Sequence, residues 1–314
     1  MMIFTNAVAL AIRAAFRKKI AVAPDGFEEM TKCVKVVKNL KYPSKYRSNS
    51  ADIYIPKNKK GPFPTVLWIH GGAFTGGDKK DAEIYATALA AEGIAVVCMN
   101  YRRAPEAKYP APVVQTDEAY LWLGSISDEY ALDTSRFILA GDSAGAHIAA
   151  QYAAVQSNAD YADKMGFEQS IPLHTLKAIL LFCGPYDVAK MDESSNRIVN
   201  FFIGRAARAY FGKKDWTTFF SAQATISNHV TSCFPSAFIS DGNTLSFESH
   251  GRELAAALES KGVPVETYFI SADTEKAGHE YQFIMNTAAG KESFDRVTGF
   301  VWRCVGLGAE LRVD

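Results

Sequence analysis

A single pentapeptide, Gly141-Asp142-Ser143-Ala144-Gly145, restricts this chain more than any other stretch. An apolar run, residues 136–140 (RFILA), leads into it, and an alanine-rich stretch, 147–155, follows. A Gly-x-Ser-x-Gly between a strand and a helix makes a turn so tight that the serine is held in a strained backbone conformation. Its hydroxyl then projects above the sheet. Side chains two residues to either side would run into the neighbouring strand and helix, so both ends need glycine. Three fixed positions of this kind match by chance about once in ten chains of this length. The turn therefore needs support from its surroundings.

His70-Gly71-Gly72-Ala73-Phe74 supplies it, directly after a second apolar run, 65–69 (TVLWI). Paired glycines can make an ordinary turn, but at a strand end they also let the backbone approach a bound group. The backbone N–H groups of Gly71, Gly72 and Ala144 are expected to form an oxyanion hole. Loss of one such donor typically costs about 3 kcal/mol of transition-state stabilisation.

The rest of the chain alternates strand and helix patterns. Residues 33–37, 53–55, 94–99 (IAVVCM), 177–183 (KAILLFC), 237–240 and 265–270 (VETYFI) read as strands. Continuous apolar runs are the pattern of a sheet covered on both faces. Residues 81–92, 113–123, 245–261 and 293–305 read as helices, with Gly93 and Gly262 as stops. Residues 100–112, rich in proline, read as an irregular loop. This alternation implies an α/β fold with a mostly parallel sheet. Residues 184–235 break it, running long between two strands and carrying Phe201, Phe202, Tyr210, Phe211, Trp216, Phe219 and Phe220. A structureless loop of that length is uncommon, so a helical insertion over the C-terminal edge of the sheet is expected. Its aromatics fill its own core, with one or two left to line a pocket.

With these pieces in place, the chain resembles the α/β-hydrolase superfamily, and within it the hormone-sensitive-lipase-like group of microbial esterases. The resemblance rests on His70-Gly71-Gly72-Ala73, on Gly141 to Gly145, and on residues 100–106 (NYRRAPE), with Asn100 where the group has Asp. It covers residues 53–300. It implies about eight strands flanked by helices, and hydrolysis of short- to medium-chain carboxylic esters without metal or cofactor. The implied domains are an N-terminal helical segment, 1–45, contributing to a cap; a catalytic domain, 46–183 and 236–314; and a helical cap insertion, 184–235.

The resemblance makes Ser143 the nucleophile, activated by a base that takes its proton. The superfamily order of serine, acid, histidine puts the base beyond the last strand, where His279 stands. The other histidines fit less well: His70 braces the oxyanion turn, His147 is on the elbow helix, His174 precedes a strand, His229 lies in the insertion, and His250 is on a helix. The acid, which orients the imidazole and stabilises its cation, is expected at Asp241. The group's usual D-x-L stretch is here Asn243-Thr244-Leu245, which leaves Glu248, Asp187 and Asp273 as alternatives. Asp187 could instead cap the insertion, Glu248 and Asp273 could be solvated carboxylates, and Asp142 could be structural. The same apparatus would serve an amidase or a carbohydrate deacetylase. A non-catalytic binding protein on this fold would be expected to lack the serine or the histidine.

Composition narrows the partners. The 314 residues carry 34 Lys and Arg against 34 Asp and Glu, so there is no general attraction to nucleic acid or to an anionic membrane. A small-molecule ester is the expected partner; oligomeric state is not encoded in any recognisable feature. Five scattered cysteines, with no C-x-x-C, fit a reducing compartment such as the cytoplasm. The apolar N-terminal stretch is too short to span a bilayer, and its basic residues 13–19 follow the apolar run, opposite to a secretory signal. Phe4, Val8, Ile12 and Phe16 recur every fourth residue, as in an amphipathic helix. Such a helix covers the protein's own site or lies on a membrane surface; the narrow basic face favours the first.

Overall fold

A computed structural model describes residues 2–15, 21–192 and 197–306. Eight strands form one sheet: β1 (Val34–Lys41), β2 (Ser50–Pro56), β3 (Phe63–Ile69), β4 (Ala95–Met99), β5 (Leu132–Asp142), β6 (Leu176–Phe182), β7 (Ser236–Asp241) and β8 (Val265–Phe269). Their spatial order is β1-β2-β4-β3-β5-β6-β7-β8. β1 and β2 run antiparallel, as do β2 and β4; all later pairs are parallel. The helices are α1 (Met2–Ala15), α2 (Phe27–Lys32), α3 (Glu83–Glu92), α4 (Ala111–Tyr130), α5 (Ala144–Ser157), α6 (Ala159–Met165), α7 (Arg197–Phe211), α8 (Trp216–Ala224), α9 (Glu248–Glu259) and α10 (Ala288–Cys304).

The continuous apolar strands are buried on both faces. In β3, Leu67 and Ile69 join one core while Val66 and Trp68 join the other. β5 divides the same way, Phe137 and Leu139 against Ile138 and Ala140. Every residue of α5 is buried, which accounts for its alanines and its lack of charge. Small side chains let this helix lie close under its neighbours. The insertion contains α7 and α8, and α1 packs on α7. Of the four apolar N-terminal residues, Ile12 is buried; Phe16, the Phe4 side chain and the basic residues 17–19 lie outside the described residues.

Several elements differ from their sequence expectation. α4 runs on to Tyr130, its last turns mostly polar but with Ile126 and Tyr130, one and two turns beyond Trp122, packed against the core. α6 is a short added helix, started by the Asn158 side chain accepting from the Tyr161 N–H. The helix expected from residue 245 begins at Glu248 instead. The chain before it is bent back, with the Phe247 N–H donating to Asp241 Oδ2 at 2.8 Å. No helix among the described residues is long and apolar enough to cross a membrane.

One ion pair sits inside the fold. Lys79 Nζ lies 2.8 Å from Asp52, and the two side chains are 2 % and 0 % exposed. Asp52 also accepts from the Asn39 N–H at 2.7 Å, and Lys79 donates to Asn39 Oδ1 at 3.0 Å. The pair ties β2 to the chain just after the glycine-rich turn. Removing one partner leaves a buried charge uncompensated, so Lys79→Met should cost about 3–5 kcal/mol in urea unfolding. The double change Lys79→Met with Asp52→Leu should recover most of that loss, because no lone charge remains.

Candidate active site

The elbow forms as the sequence requires. Ser143 has φ 52 and ψ −120, between the end of β5 and the start of α5. Its N–H donates to the Phe182 carbonyl at 2.7 Å, which secures the strained turn against β6. A side chain at Gly145 would collide with the carbonyl oxygens of Ile69 and His70. The helix start therefore presses directly on the end of β3, and only glycine fits.

Ser143 Oγ and His279 Nε2 are 2.9 Å apart. Burial pushes the His279 imidazole down to about 4, so the ring is neutral and able to accept a proton at neutral pH. Its Nδ1 is buried without a hydrogen-bond partner among the described residues. Asp241 stands nearby: its carboxylate, the Cys183 thiol and a His279 nitrogen all lie within 4.8 Å of one another. Asp241 and His279 are thus neighbours but not hydrogen-bonded. The carboxylate is instead held by the N–H groups of Gly242, at 2.7 Å, and Phe247, at 2.8 Å. Burial raises the Asp241 carboxyl to about 7, against the pull of the Cys183 thiol and these two donors. Among the described residues this is the grouping with the spacing of a metal site. Its carboxylate is already engaged by backbone donors and its imidazole by Ser143, which fits an acid and a base better than a metal.

The alternative acids sit elsewhere. Glu248 pairs with Arg252 at 2.7 Å, one turn along α9. Asp187 accepts from the Ala189 N–H at 2.9 Å and so caps a short 3-10 turn in the insertion. Asp273 is exposed. Asn243, in the place of the resembled group's acid, works as a staple. Its Nδ2 donates to the carbonyls of Ser271, at 3.0 Å, and Glu275, at 2.9 Å. Its Oδ1 accepts from the Ala277 N–H at 3.1 Å. These bonds hold the loop that delivers His279.

The glycine-rich turn requires one correction. The Gly71 N–H does not face the cavity; it donates to Asp142 Oδ2 at 2.8 Å. A buried N–H already given to a carboxylate cannot also hold an oxyanion. The N–H groups of Gly72, Ala73 and Ala144 have no acceptor among the described residues, and Ala73 and Ala144 line the cavity. Of the two glycines in the pattern, Gly71 has its N–H engaged by Asp142, and Gly72 does not. His70 braces this turn, its ring stacked on Tyr101 at 4.4 Å and its Nδ1 2.7 Å from the Gly71 oxygen. The other histidines serve packing: His147 reaches the Pro185 carbonyl at 2.8 Å, His229 stacks on Tyr161, and His250 Nδ1 accepts from the Asp187 N–H.

Above Ser143 opens a cavity of about 530 Å³. Ile12 from α1, Phe202 and Ile203 from α7, and Phe74, Met191 and Phe247 give it an apolar wall. Among the described residues, no Asp, Glu, Lys or Arg lines it. Arg13 fixes the α1 wall in place. Its guanidinium forms two bonds to Glu106, at 2.8 and 2.6 Å, and reaches the carbonyls of Thr75, at 2.6 Å, and Ala104, at 2.7 Å. The guanidinium lowers the Glu106 carboxyl to about 2. Sequence reading passed over this pair, since a lone Arg at a helix end looks like a solvated cation.

Comparison with known proteins gives the family and the fold. The sequence model of the BD-FAE family matches residues 51–252, well over half of the chain. A probable isoprenylcysteine alpha-carbonyl methylesterase of Arabidopsis thaliana is 36 % identical over 102 residues, 32 % of this chain and 21 % of that protein. Carboxylesterase NlhH of Mycobacterium tuberculosis is 39 % identical over 100 residues, 31 % of each chain. The matches thus span a third or less of these relatives' length. Among solved structures, esterase B from Lactobacillus rhamnosis superposes with TM-score 0.77 at 19 % identity, covering 96 % of this chain and 92 % of that one. A bacterial heroin esterase superposes with TM-score 0.70 at 21 % identity, covering 96 % and 90 %. At such identities the likeness establishes the fold.

The latch at Arg13 can be tested directly. A part-buried bidentate pair is worth about 1 kcal/mol, roughly fivefold in the docked population of α1. Arg13→Met keeps the apolar stem and removes the charge. Limited proteolysis should then cut the N-terminal segment sooner than in the parent protein, with the melting temperature of the core nearly unchanged.

Proposed function

The chain belongs to the BD-FAE family of the α/β-hydrolase superfamily, and on that premise we propose that it is a carboxylic ester hydrolase acting through an acyl-enzyme on Ser143. The observation that carries the reading is the 2.9 Å approach of His279 Nε2 to Ser143 Oγ at the foot of an apolar cavity. His279 takes the serine proton as Oγ attacks the ester carbonyl. The oxyanion falls to the N–H groups of Ala144 and of Gly72 or Ala73, fixed dipoles that need no reorganisation. The protonated imidazole then gives its proton to the departing alcohol. Water, activated by the same ring, releases the acid.

Asp241 is the carboxylate that stabilises the imidazolium. It is buried, it lies in the grouping around His279, and no alternative acid shares that position. Its carboxylate lies within 4.8 Å of an imidazole nitrogen, and such contacts tighten as charge develops. A cavity of about 530 Å³ is within the ordinary range for small-molecule sites, and the apolar side chains of Ile12, Phe74, Phe202 and Ile203 along it suit a short- to medium-chain acyl ester better than a carbohydrate. We read α1 and the 184–235 insertion as a cap over the catalytic domain. The names of the relatives, a methylesterase and a carboxylesterase, point the same way. So does esterase B, solved with a tributyrin phosphonate inhibitor.

Ser143→Ala should lower turnover of a short p-nitrophenyl ester by at least about 10³-fold with folding intact by circular dichroism. Wild-type activity in that variant would overturn the reading.

The acid is tested by pH. Below about 7, Asp241 takes up a proton and can no longer balance an imidazolium, so the rate should fall as pH drops through that range. Asp241→Asn should remove that limb and reduce kcat by about 10²- to 10⁴-fold. The remaining limb should move toward the lower range in which His279 itself protonates. Glu248→Gln should leave the profile unchanged, because Glu248 is engaged on α9.

A further inference from the structure

Behind Ser143, away from the cavity, two acidic side chains meet. Asp142 precedes the serine and is 3 % exposed. Glu280 follows His279, with its backbone in the left-handed region at φ 62. The two carboxyl groups interact, and both press on Gly71. A side chain there would collide with Asp142 Oδ2 and come within 2.7 Å of Glu280 Oε1. Neighbouring N–H donors occupy both oxygens of Asp142: Trp68 Nε1 on Oδ1 at 2.7 Å and the Gly71 N–H on Oδ2 at 2.8 Å.

Two carboxyl groups packed against one buried backbone position repel too strongly to be ionised together, so one of them keeps a proton. Asp142 already accepts from two donors, so it is the ionised partner and Glu280 the one that carries the proton. We infer that Asp142 and Glu280 share one proton and act together as a positioning unit, joining the serine, the histidine and the oxyanion turn from behind. Asp142 holds the Gly71 N–H, which leaves the following N–H groups turned toward the cavity. Glu280 anchors the residue next to His279, and its own N–H donates to Cys183 Sγ at 3.2 Å. The positioning role rests on the esterase reading above; the shared proton does not.

The surroundings favour retention of that proton. Asp81 faces both carboxyls from the turn before α3, Asp241 faces Glu280 from the end of β7, and Tyr101 and Cys183 face the pair as neutral groups. Arg103, which faces Tyr101, is the nearby cation, and its NH1 is given to the Gly77 carbonyl. Burial raises both carboxyls, Asp142 to about 6 and Glu280 well above its usual range. The folded state therefore binds a proton that the unfolded chain has released. The stability linked to it is complete at acid pH and declines as pH rises above the ordinary carboxylate range.

Glu280→Gln separates the roles, because its amide N–H can donate to Asp142 as the Glu280 O–H does, without titrating. The expected results are a protonated-carboxyl C=O stretch in infrared spectra of the wild type at mildly alkaline pH, lost in Glu280→Gln. The fall of melting temperature from about pH 5 to about pH 9 should become shallower in that variant. Glu280→Gln should keep kcat within about threefold of wild type, whereas Glu280→Ala and Asp142→Asn should lower kcat at least about tenfold with little change in KM. Absence of the infrared band, or equal kcat and equal pH slopes for Glu280→Gln and Glu280→Ala, would overturn the inference. The infrared and melting measurements need no turnover, so failure of the esterase reading would show separately, in Ser143→Ala.

Discussion

The site depends on one close approach: the start of α5 laid against the carbonyls that end β3. Gly145 permits it, since any side chain there meets the Ile69 and His70 oxygens. With the helix pressed onto the strand, Asp142 comes within reach of Trp68 in β3 and of Gly71 just beyond it. The elbow and the glycine-rich turn are thereby tied together. Gly72 and Ala73 need no side-chain partners to be aimed, because the residue before them is fixed. The strain at Ser143, φ 52, is sustained by this contact and by the N–H bond to Phe182. Such strain persists only where the surrounding structure over-determines it.

Three carboxyl groups, Asp142, Asp241 and Glu280, interact in the same buried region. Two unit charges 4 Å apart repel by about 4 kcal/mol at an effective dielectric of about 20. Three ionised carboxylates here would repel too strongly to persist together. The backbone settles which is charged. Asp142 has two N–H donors and Asp241 has two; Glu280 has a carboxyl group as its partner. Donors favour the ionised form, and a carboxylate neighbour favours the neutral one. The same logic that keeps Glu280 protonated leaves Asp241 available to balance a cation on His279.

Most of the sheet was legible in the sequence, for a physical reason. β3 to β7 hold apolar runs covered on both faces, and their short length and β-branched residues distinguish them from the equally buried, alanine-rich α5. The elbow was legible because its backbone admits few residues. What lay hidden depends on partners distant in sequence. Gly71 and Gly72 look alike in the chain, and only the Asp142 carboxylate, reaching back from the elbow, separates the occupied N–H from those left over. The start of α9 at Glu248 is set by the capture of the Phe247 N–H by Asp241. Arg13 is an ordinary helix-end cation until Glu106 and two carbonyls are placed around it. Helix periodicity reports which face is buried, not which surface buries it.

The position that departs from the resembled group shows how a fold can divide two tasks. An acid on the loop after β7 would orient the histidine and also brace the chain around it. Here Asn243 does the bracing, with three bonds to the 271–277 segment. An amide suits that work better than a carboxylate, since it both donates to carbonyls and accepts from an N–H. Asp241, at the strand end itself, is left with the charge. Its surroundings are rigid, with one oxygen on Gly242 and the other on Phe247. An ionised group moved from a loop to a strand end loses freedom to approach the imidazole. It gains backbone donors that oppose the protonation that burial favours. In the proposed mechanism His279 is placed by an amide and by the Glu280 anchor behind it, and Asp241 then acts on a ring already in position.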